Sequence, residues 1–133
     1  MSTSKVLYMG DLRTESTHLQ SGTKIITDAP TDNHGKGEAF SPTDMVANSL
    51  ATCMFSIMGI KAKQLNINLV ESAAEVTKIM QTDPRMIQEI KIDFTMRGMV
   101  DDKTKVILER AAMTCPVFLS LHPNIIKNIT FHW

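Results

Sequence analysis

The sequence predicts a single α+β domain over residues 1–133, and three observations support that prediction. A long stretch without charged residues, Met45 to Ile60, has the length and the start signals of a buried helix. Segments in which apolar and polar residues alternate, as they do in strands, lie on both sides of it. The predicted strands and helices do not alternate regularly, and no internal repeat or low-complexity linker divides the chain. This order is typical of the α+β class, and the length suffices for one genuine core.

The N-terminal segment is predicted to form an antiparallel meander of three strands. Its residues favour strands, and Ser21-Gly22 marks a turn between the second strand and the third. Asp28-Ala29-Pro30 ends the third strand, and a polar loop follows from Thr31 to Ala39. We place the three strands at Lys5 to Met9, Leu12 to Thr17 and Lys24 to Thr27.

The central helix is predicted from Ser41 to Lys63. Ser41 suits the N-cap, Pro42 fits the first helical position, and Asp44 stands three residues after the cap. Apolar side chains occur on all sides of this helix, so we expect it to be buried all round. Polar residues interrupt the apolar run, which is also shorter than the roughly 20 apolar residues of a membrane span. We therefore predict a core helix with Cys53 in its middle.

A β-hairpin and a closing strand are predicted after the central helix. Ile67 to Met80 is interpreted as a long strand, and Thr82-Asp83-Pro84 as the turn that follows it. Apolar residues alternate cleanly with polar ones from Ile90 to Met96, which completes the hairpin. Ile129 to Trp133 alternates in the same way and is the predicted closing strand.

A second helix starts at Asp101-Asp102 and is interrupted by Cys115-Pro116, because proline cannot donate a hydrogen bond inside a helix. A short helix then begins with Cys115 near its N-cap and extends to Leu121. The residues of the second helix expected to face the first helix are Val106, Ile107, Ala111 and Met113. Those expected to face water are Lys103, Lys105, Glu109 and Arg110.

Charge and motif content exclude several classes of function. Fourteen basic and fourteen acidic residues give zero net charge, so neither nucleic acid nor a membrane is an expected partner. The N-terminus lacks the charged and apolar regions of a signal peptide, so we expect a cytoplasmic location. The histidines and cysteines lack metal-ligand spacing, and phosphate-binding and nucleophile-elbow motifs are absent. No metal and no cofactor is therefore predicted.

The two cysteines, Cys53 and Cys115, are the remaining candidates for chemistry, and they are too few for a disulfide scaffold. A buried cysteine is often only a packing residue. Without further evidence, Cys53 would be interpreted as one. In peroxide reduction, however, a thiolate attacks the O–O bond and becomes a sulfenic acid, which a second thiol converts to a disulfide. Two cysteines suffice for this cycle.

A reactive Cys53 requires a nearby cation, because burial raises a thiol pKa and Cys53 lies too far into its helix for the helix dipole. Arg13 is the best candidate, since an arginine stays charged and binds oxygen atoms. The alternative for Arg13 is an ordinary surface charge on a strand. Cys115, at the start of a short helix, suits either a resolving thiol or an inert residue packed under Phe118.

The segment FSPTDMVANSLATCM, Phe40 to Met54, resembles the FxPxELLxxALAxCxx block of the OsmC/Ohr superfamily, the osmotically inducible and organic-hydroperoxide-resistance proteins. The resemblance extends over nearly the whole chain, and it is closest to the less characterised OsmC-like branch. It includes Gly22 to Pro30, the GKGEAFSP approach to the helix, and the TCPV block at Thr114 to Val117. Cysteine at both places is its specific part.

This resemblance implies an OsmC-like fold in an intertwined homodimer. The sheets of two chains would wrap a pair of central cysteine helices, with the active sites at the subunit interface. In active members of the family the helix cysteine attacks the hydroperoxide, the second cysteine resolves it, and an arginine of the N-terminal meander assists. An external dithiol then reduces the disulfide. By position, the resemblance assigns these roles to Cys53, Cys115 and Arg13.

One position departs from the family pattern. Peroxidase members have Glu directly after the helix-start proline, where it pairs with the arginine, and this chain has Thr43 there. Asp44 is half a turn out of phase with Cys53, so it suits a role in capping the helix. Glu38, in the approach loop, is the candidate substitute for the missing carboxylate.

The predicted function is thiol-dependent reduction of organic hydroperoxides by a cytoplasmic homodimer. An apolar neighbourhood with Met54, Met58 and Phe118 suits a fatty or aromatic hydroperoxide as the substrate. The alternative, motivated by Thr43, is a non-enzymatic dimeric protein that binds a small apolar ligand or senses thiol redox state.

Overall fold

The computed structural model describes all residues from Met1 to Trp133. The chain divides into two compact units, Met1–Met45 and Val46–Trp133, and each contains one three-stranded sheet. The central helix begins in the first unit and continues into the second. The α+β class is confirmed, whereas the single-domain assignment stays a prediction.

The sheet of the first unit is the predicted antiparallel meander, with its strands side by side in chain order. The tight turn after the first strand uses left-handed backbone at Gly10, Asp11 and Leu12, which have φ angles of 86°, 53° and 63°. The register places Arg13, the first residue of the second strand, opposite Asp28, the last residue of the third. The three strands are β1 (Ser4–Gly10), β2 (Arg13–His18) and β3 (Lys24–Asp28).

The central helix α1 extends over Pro42–Gln64, and its predicted start is confirmed. The Asp44 N–H donates to Ser41 Oγ at 3.0 Å, and the Ser41 N–H donates to Asp44 Oδ2 at 3.0 Å. This reciprocal pair is a capping box, which satisfies donors that the first turn of a helix leaves without partners. Pro42 has no N–H to lose at the first helical position.

The sheet of the second unit consists of β4 (Ala73–Gln81), β5 (Met86–Thr95) and β6 (Ile126–His132), in that order. β4 and β5 form the predicted hairpin, whose turn contains a cis Asp83-Pro84 bond. β6 pairs parallel to β5, because a crossover through α2 (Asp102–Ala112) and α3 (Pro116–Ser120) returns the chain to the end of the sheet at which β5 begins.

Strand boundaries of the second unit differ from the prediction, and β5 begins at Met86, ahead of the predicted Ile90. The strand predicted from Ile67 begins only at Ala73. Asn66 and Glu71 have left-handed φ angles of 56° and 74°, which interrupt an extended chain. The closing strand begins at Ile126, ahead of the predicted Ile129, because its pairing with β5 already starts there.

α1 is buried on one side only. Phe55 of α1 contacts Phe94 of β5 edge to face, with ring centroids 4.9 Å apart. On the other side, Thr52 and Ser56 are exposed, and Ile60 is 59% exposed. The expectation of burial all round is therefore wrong for the single chain, since the second unit has only one sheet to cover the helix. The buried residues of α1 are Ala47, Leu50, Ala51, Met54, Met58 and Ala62.

Length and composition alone also make α1 a candidate membrane span. Core helices of soluble proteins have the same composition, so this property is weak evidence. Leu50, Met54 and Met58 have no exposed surface and belong to one core cluster with Ile90 and Ile92 of β5. This packing is consistent with the predicted core helix.

The buried face of α2 differs from the predicted one. Leu108 and Ala112, one turn apart, have no exposed surface, whereas Val106 and Met113 are 45% and 38% exposed. Val106 and Met113 therefore do not form the inner face, and that part of the prediction is wrong. α3 begins as predicted, with Cys115 at its N-cap and a proline at its first position.

Candidate functional site

The two cysteines lie in the second unit on separate helices. Cys53 lies in the middle of α1 and is half-buried, whereas Cys115 caps α3 and is fully buried. Both are free thiols. Cys53 packs against the core cluster that contains Cys115, close enough to raise the pKa of the Cys115 thiol. The fold therefore brings the two predicted redox residues into contact.

The surroundings of Cys115 favour its protonated form. Burial raises the pKa of the Cys115 thiol above its ordinary value. The Phe118 N–H acts in the opposite direction by donating to Cys115 Sγ at 3.3 Å. The neighbouring Cys53 thiol raises the pKa of Cys115 further. Cys115 is thus held as a thiol at neutral pH, and Cys53 is the more exposed sulfur.

The thiol pair lies in apolar surroundings. Met54 and Met58 are fully buried in the core, and Cys53 and Phe118 are half-buried against it. The Lys127 Nζ lies 5.4 Å from the centre of the Phe118 ring, which is a cation–π distance. The neighbourhood is as apolar as expected, and its use as a substrate pocket stays a prediction.

The predicted arginine lies in the first unit, where it forms a bidentate pair with a carboxylate. Arg13 Nε donates to Asp28 Oδ1 at 2.7 Å, and Arg13 Nη2 donates to Asp28 Oδ2 at 2.8 Å. The side chain of Asp28 has no exposed surface, and that of Arg13 is 32% exposed. Two parallel hydrogen bonds fix the plane of a guanidinium as well as its position.

The approach loop provides further contacts to this pair. The Glu38 backbone N–H donates to Asp28 Oδ2 at 3.2 Å, and the Glu38 carboxylate lies 3.9 Å from Arg13 Nη2. The hydrogen bond to Asp28 raises the pKa of Arg13. The hydrogen bond from Arg13 holds the pKa of Asp28 below its usual range, and burial opposes this effect. Glu38, the candidate substitute carboxylate, makes the longer contact and is 65% exposed.

Asp28 is the partner of Arg13 that sequence reasoning missed. In the sequence it marks only the end of a strand. The strand order offered one indication of this pairing, because in a meander with short turns the start of β2 lies opposite the end of β3. Thr43 stands where the family pattern has Glu. Its Oγ1 lies 3.2 Å from Ser41 Oγ, within the cap of α1.

The predicted residues thus form two groups. Cys53 and Cys115 meet in the second unit, whereas Arg13 and Glu38 meet Asp28 in the first. No cluster of three or more His, Cys, Asp or Glu side chains is placed to hold a metal ion. The arrangement offers thiol chemistry in one unit and a fixed cation in the other.

The α+β fold, with one free cysteine on its long helix and a second at the start of α3, indicates the class of protein to which the chain belongs. The family model for OsmC-like proteins matches residues 35–129, and the chain belongs to this family. It is similar to a crystal structure from Psychrobacter arcticus 273-4, provisionally named an osmotic stress induced and detoxification response protein. The two are 55% identical over 99% of this chain and 96% of that chain, with a TM-score of 0.96. The predicted family and fold are confirmed.

More distant structures share the fold. An OsmC-like protein from Mycoplasma pneumoniae is 17% identical over 98% of this chain and 96% of that chain, with a TM-score of 0.76. An organic hydroperoxide resistance protein OsmC from Legionella pneumophila is 16% identical over 100% of this chain and 98% of that chain, with a TM-score of 0.73. At these identities the similarity shows the fold alone. Among curated proteins, none matches this chain.

Proposed function

We propose that this protein reduces organic hydroperoxides with its two thiols and an external dithiol. The observation that supports this most directly is the placement of Cys53 beside Cys115 in one apolar core. Membership of the OsmC-like family supports the same conclusion, as does the name of the Legionella pneumophila protein of the same fold.

In the proposed reaction, the Cys53 thiolate attacks one oxygen of the hydroperoxide and the O–O bond breaks. That oxygen stays on sulfur as a sulfenic acid, and the other leaves with a proton as the alcohol. The Cys115 thiol then attacks the sulfenic sulfur, so that a disulfide forms and water leaves. An external dithiol reduces this disulfide to two thiols and is itself oxidised to a disulfide.

The environments of the two sulfurs support this division of roles. Cys53 is assigned the first step because it is the more exposed sulfur. Cys115 is assigned the second step because burial keeps it protonated and shielded until the sulfenic acid forms beside it. Met54, Met58 and Phe118 are proposed to favour an apolar organic group on the hydroperoxide.

Arg13 is proposed to assist the first step. A guanidinium stays charged and offers several N–H donors, so it stabilises both a thiolate and the oxygens of a hydroperoxide. Asp28 engages the Nε and Nη2 nitrogens of Arg13, which leaves Nη1 outside the bidentate pair. The proposal gives this nitrogen the contact with substrate.

A cytoplasmic homodimer is part of the proposal, with no nucleic acid or membrane as a partner. Exposed apolar side chains support the dimer. In the first unit, Val6, Tyr8 and Ile25 are 61%, 64% and 45% exposed, and in the second, Ile60 of α1 is 59% exposed. Apolar surface at adjacent positions often marks a protein interface. We propose that a second copy of the chain covers these residues.

The function is tested by the consumption of cumene hydroperoxide with dihydrolipoamide as the dithiol. We expect wild type to turn over, and Cys53→Ser to lose at least about a hundredfold in kcat/KM, because it lacks the attacking thiolate. Cys115→Ser is the matched control: it should still consume about one equivalent of hydroperoxide but form no internal disulfide. Equal, negligible rates in wild type and Cys53→Ser would refute the proposal.

A non-enzymatic ligand binder or thiol sensor is the alternative. The reason to consider it is that Thr43 replaces the carboxylate of the family pattern. The Arg13–Asp28 pair weakens this reason, because a carboxylate does bind this arginine. Mass spectrometry after one equivalent of hydroperoxide separates the two functions. A Cys53–Cys115 disulfide supports the enzyme. Two intact thiols, in a protein whose Tm rises with an apolar ligand, support the binder.

A further inference from the structure

We propose that Asp28 is a positioning residue that holds Arg13 in place for hydroperoxide reduction. In the family pattern the carboxylate that pairs with the arginine stands at the position of Thr43, and in this chain Asp28 takes its role. The inference rests on the proposed function. It assigns Asp28 an action through Arg13 and no contact with substrate.

Hydrogen bonds fix the Asp28 carboxylate in a single orientation. Two come from Arg13 at 2.7 and 2.8 Å, and one comes from the Glu38 N–H at 3.2 Å. The carboxylate has no exposed surface, so water does not compete for it. Because both of its oxygens bind Arg13, the carboxylate fixes the orientation of the guanidinium.

Asp28 also connects Arg13 to the segment that leads into α1. Its backbone N–H donates to the Phe40 carbonyl at 3.2 Å, and its carboxylate accepts from the Glu38 N–H. Phe40 directly precedes Ser41, the N-cap of α1. The connection between the arginine and the helix start is therefore made here by a carboxylate at the end of β3.

The burial of Asp28 separates this pair from an ordinary surface ion pair. Exposed pairs contribute little because water and salt screen them. A fully buried carboxylate without its cation would be unfavourable, so Asp28 and Arg13 depend on each other. The Arg13–Glu38 contact lacks these features, since its length is 3.9 Å and Glu38 is 65% exposed.

A double-mutant cycle tests the proposal in the cumene hydroperoxide assay. Asp28→Asn keeps the shape of the side chain but removes its charge and one oxygen, so we expect kcat/KM to fall about tenfold or more, mainly through kcat. Arg13→Gln should lose at least as much. The double variant should be no worse than Arg13→Gln alone, because Asp28 acts only through Arg13.

Glu15→Gln is the matched control. Glu15 lies in β2, two residues from Arg13, and its carboxylate pairs with Lys24 at 3.4 Å. The variant therefore removes an acid from the same sheet without changing the Arg13–Asp28 pair. We expect its kcat/KM to stay within about twofold of wild type.

The outcomes separate this inference from the proposed function. If Cys53→Ser is inactive but Asp28→Asn stays within about twofold of wild type, the inference falls and the function stands. Losses that add in the double variant also overturn it, because they indicate independent roles. If the kcat/KM of Cys53→Ser equals that of wild type, both the inference and the proposed function are refuted.

Arg13→Lys provides the second variant, should Asp28→Asn fail to fold by circular dichroism. Lysine keeps the positive charge but cannot donate in a fork to both carboxylate oxygens. A loss of about tenfold or more in kcat/KM supports positioning by Asp28. Activity within about twofold of wild type overturns it, because charge alone would then suffice.

Discussion

The protonation of Cys115 determines how this thiol contributes to stability. Burial raises its pKa, the neighbouring Cys53 thiol raises it further, and the Phe118 N–H only partly offsets this rise. The folded protein therefore keeps the proton to a higher pH than the unfolded chain, in which the pKa of cysteine is about 8.5. We expect this contribution to be fully present below about pH 8.5 and lost as the pH rises through the folded-state pKa.

The Cys53→Ser variant isolates this titration. The ultraviolet absorbance of its thiolate should appear at a higher pH than in a cysteine-containing peptide, and the midpoint of urea unfolding should fall over the same range. The Cys53→Ser/Cys115→Ser variant gives the background for both measurements. A Cys115 that titrates at or below the peptide value would contradict the structure.

The thiol pair could be anticipated from sequence, whereas the partner of Arg13 could not. Cys53 and Cys115 stand out because cysteine is rare in the chain and each lies at a recognisable helix position. The partner of Arg13 depends instead on strand register and on the left-handed turn at Gly10 to Leu12. Alternation of apolar residues predicts that strands exist, but it does not specify which residues lie opposite each other.

At the scale of elements, the capping box of α1 is expected to contribute measurably to stability. Ser41→Ala removes the acceptor for the Asp44 N–H, so the free energy of unfolding should fall by about 1 kcal/mol. Urea unfolding followed by circular dichroism measures this loss. Ser56→Ala is the matched control, since Ser56 is exposed in the same helix and alanine is the better helix former. Equal unfolding midpoints for the two variants would show that the box contributes nothing.

Local signals explain which elements could be predicted. The starts of α1, α2 and α3 depend on a few adjacent capping residues, and all three were placed correctly. The start of β4 differs from the prediction because the left-handed backbone at Glu71 has no sequence signal, unlike that at Asn66. The inner face of α2 was missed because apolar residues occur on more than one side of that helix, and only packing selects Leu108 and Ala112.

At the scale of the molecule, the exposed side of α1 is the feature that a single chain does not explain. Small or apolar residues lie along it, and Gly59 has open space where a side chain would lie. Small residues allow two helices to approach closely. The apolar surface of Val46 and Ile60 is exposed to water here, whereas a paired helix would bury it. The exposed residues of this stripe are Val46, Thr52, Ser56, Gly59 and Ile60.

If a second copy of the chain covers this stripe, the protein in solution has twice the mass of one chain by light scattering after size exclusion. Ile60→Glu should shift it to the monomer mass, because a carboxylate would be buried without a partner. Met99→Glu, in the exposed segment before α2, is the control and should remain a dimer. A wild-type protein with the mass of one chain would exclude the dimer, and an Ile60→Glu variant that stays dimeric would place the interface elsewhere. Since α1 also holds Cys53, we expect the monomeric variant to lose the proposed hydroperoxide reduction together with its partner.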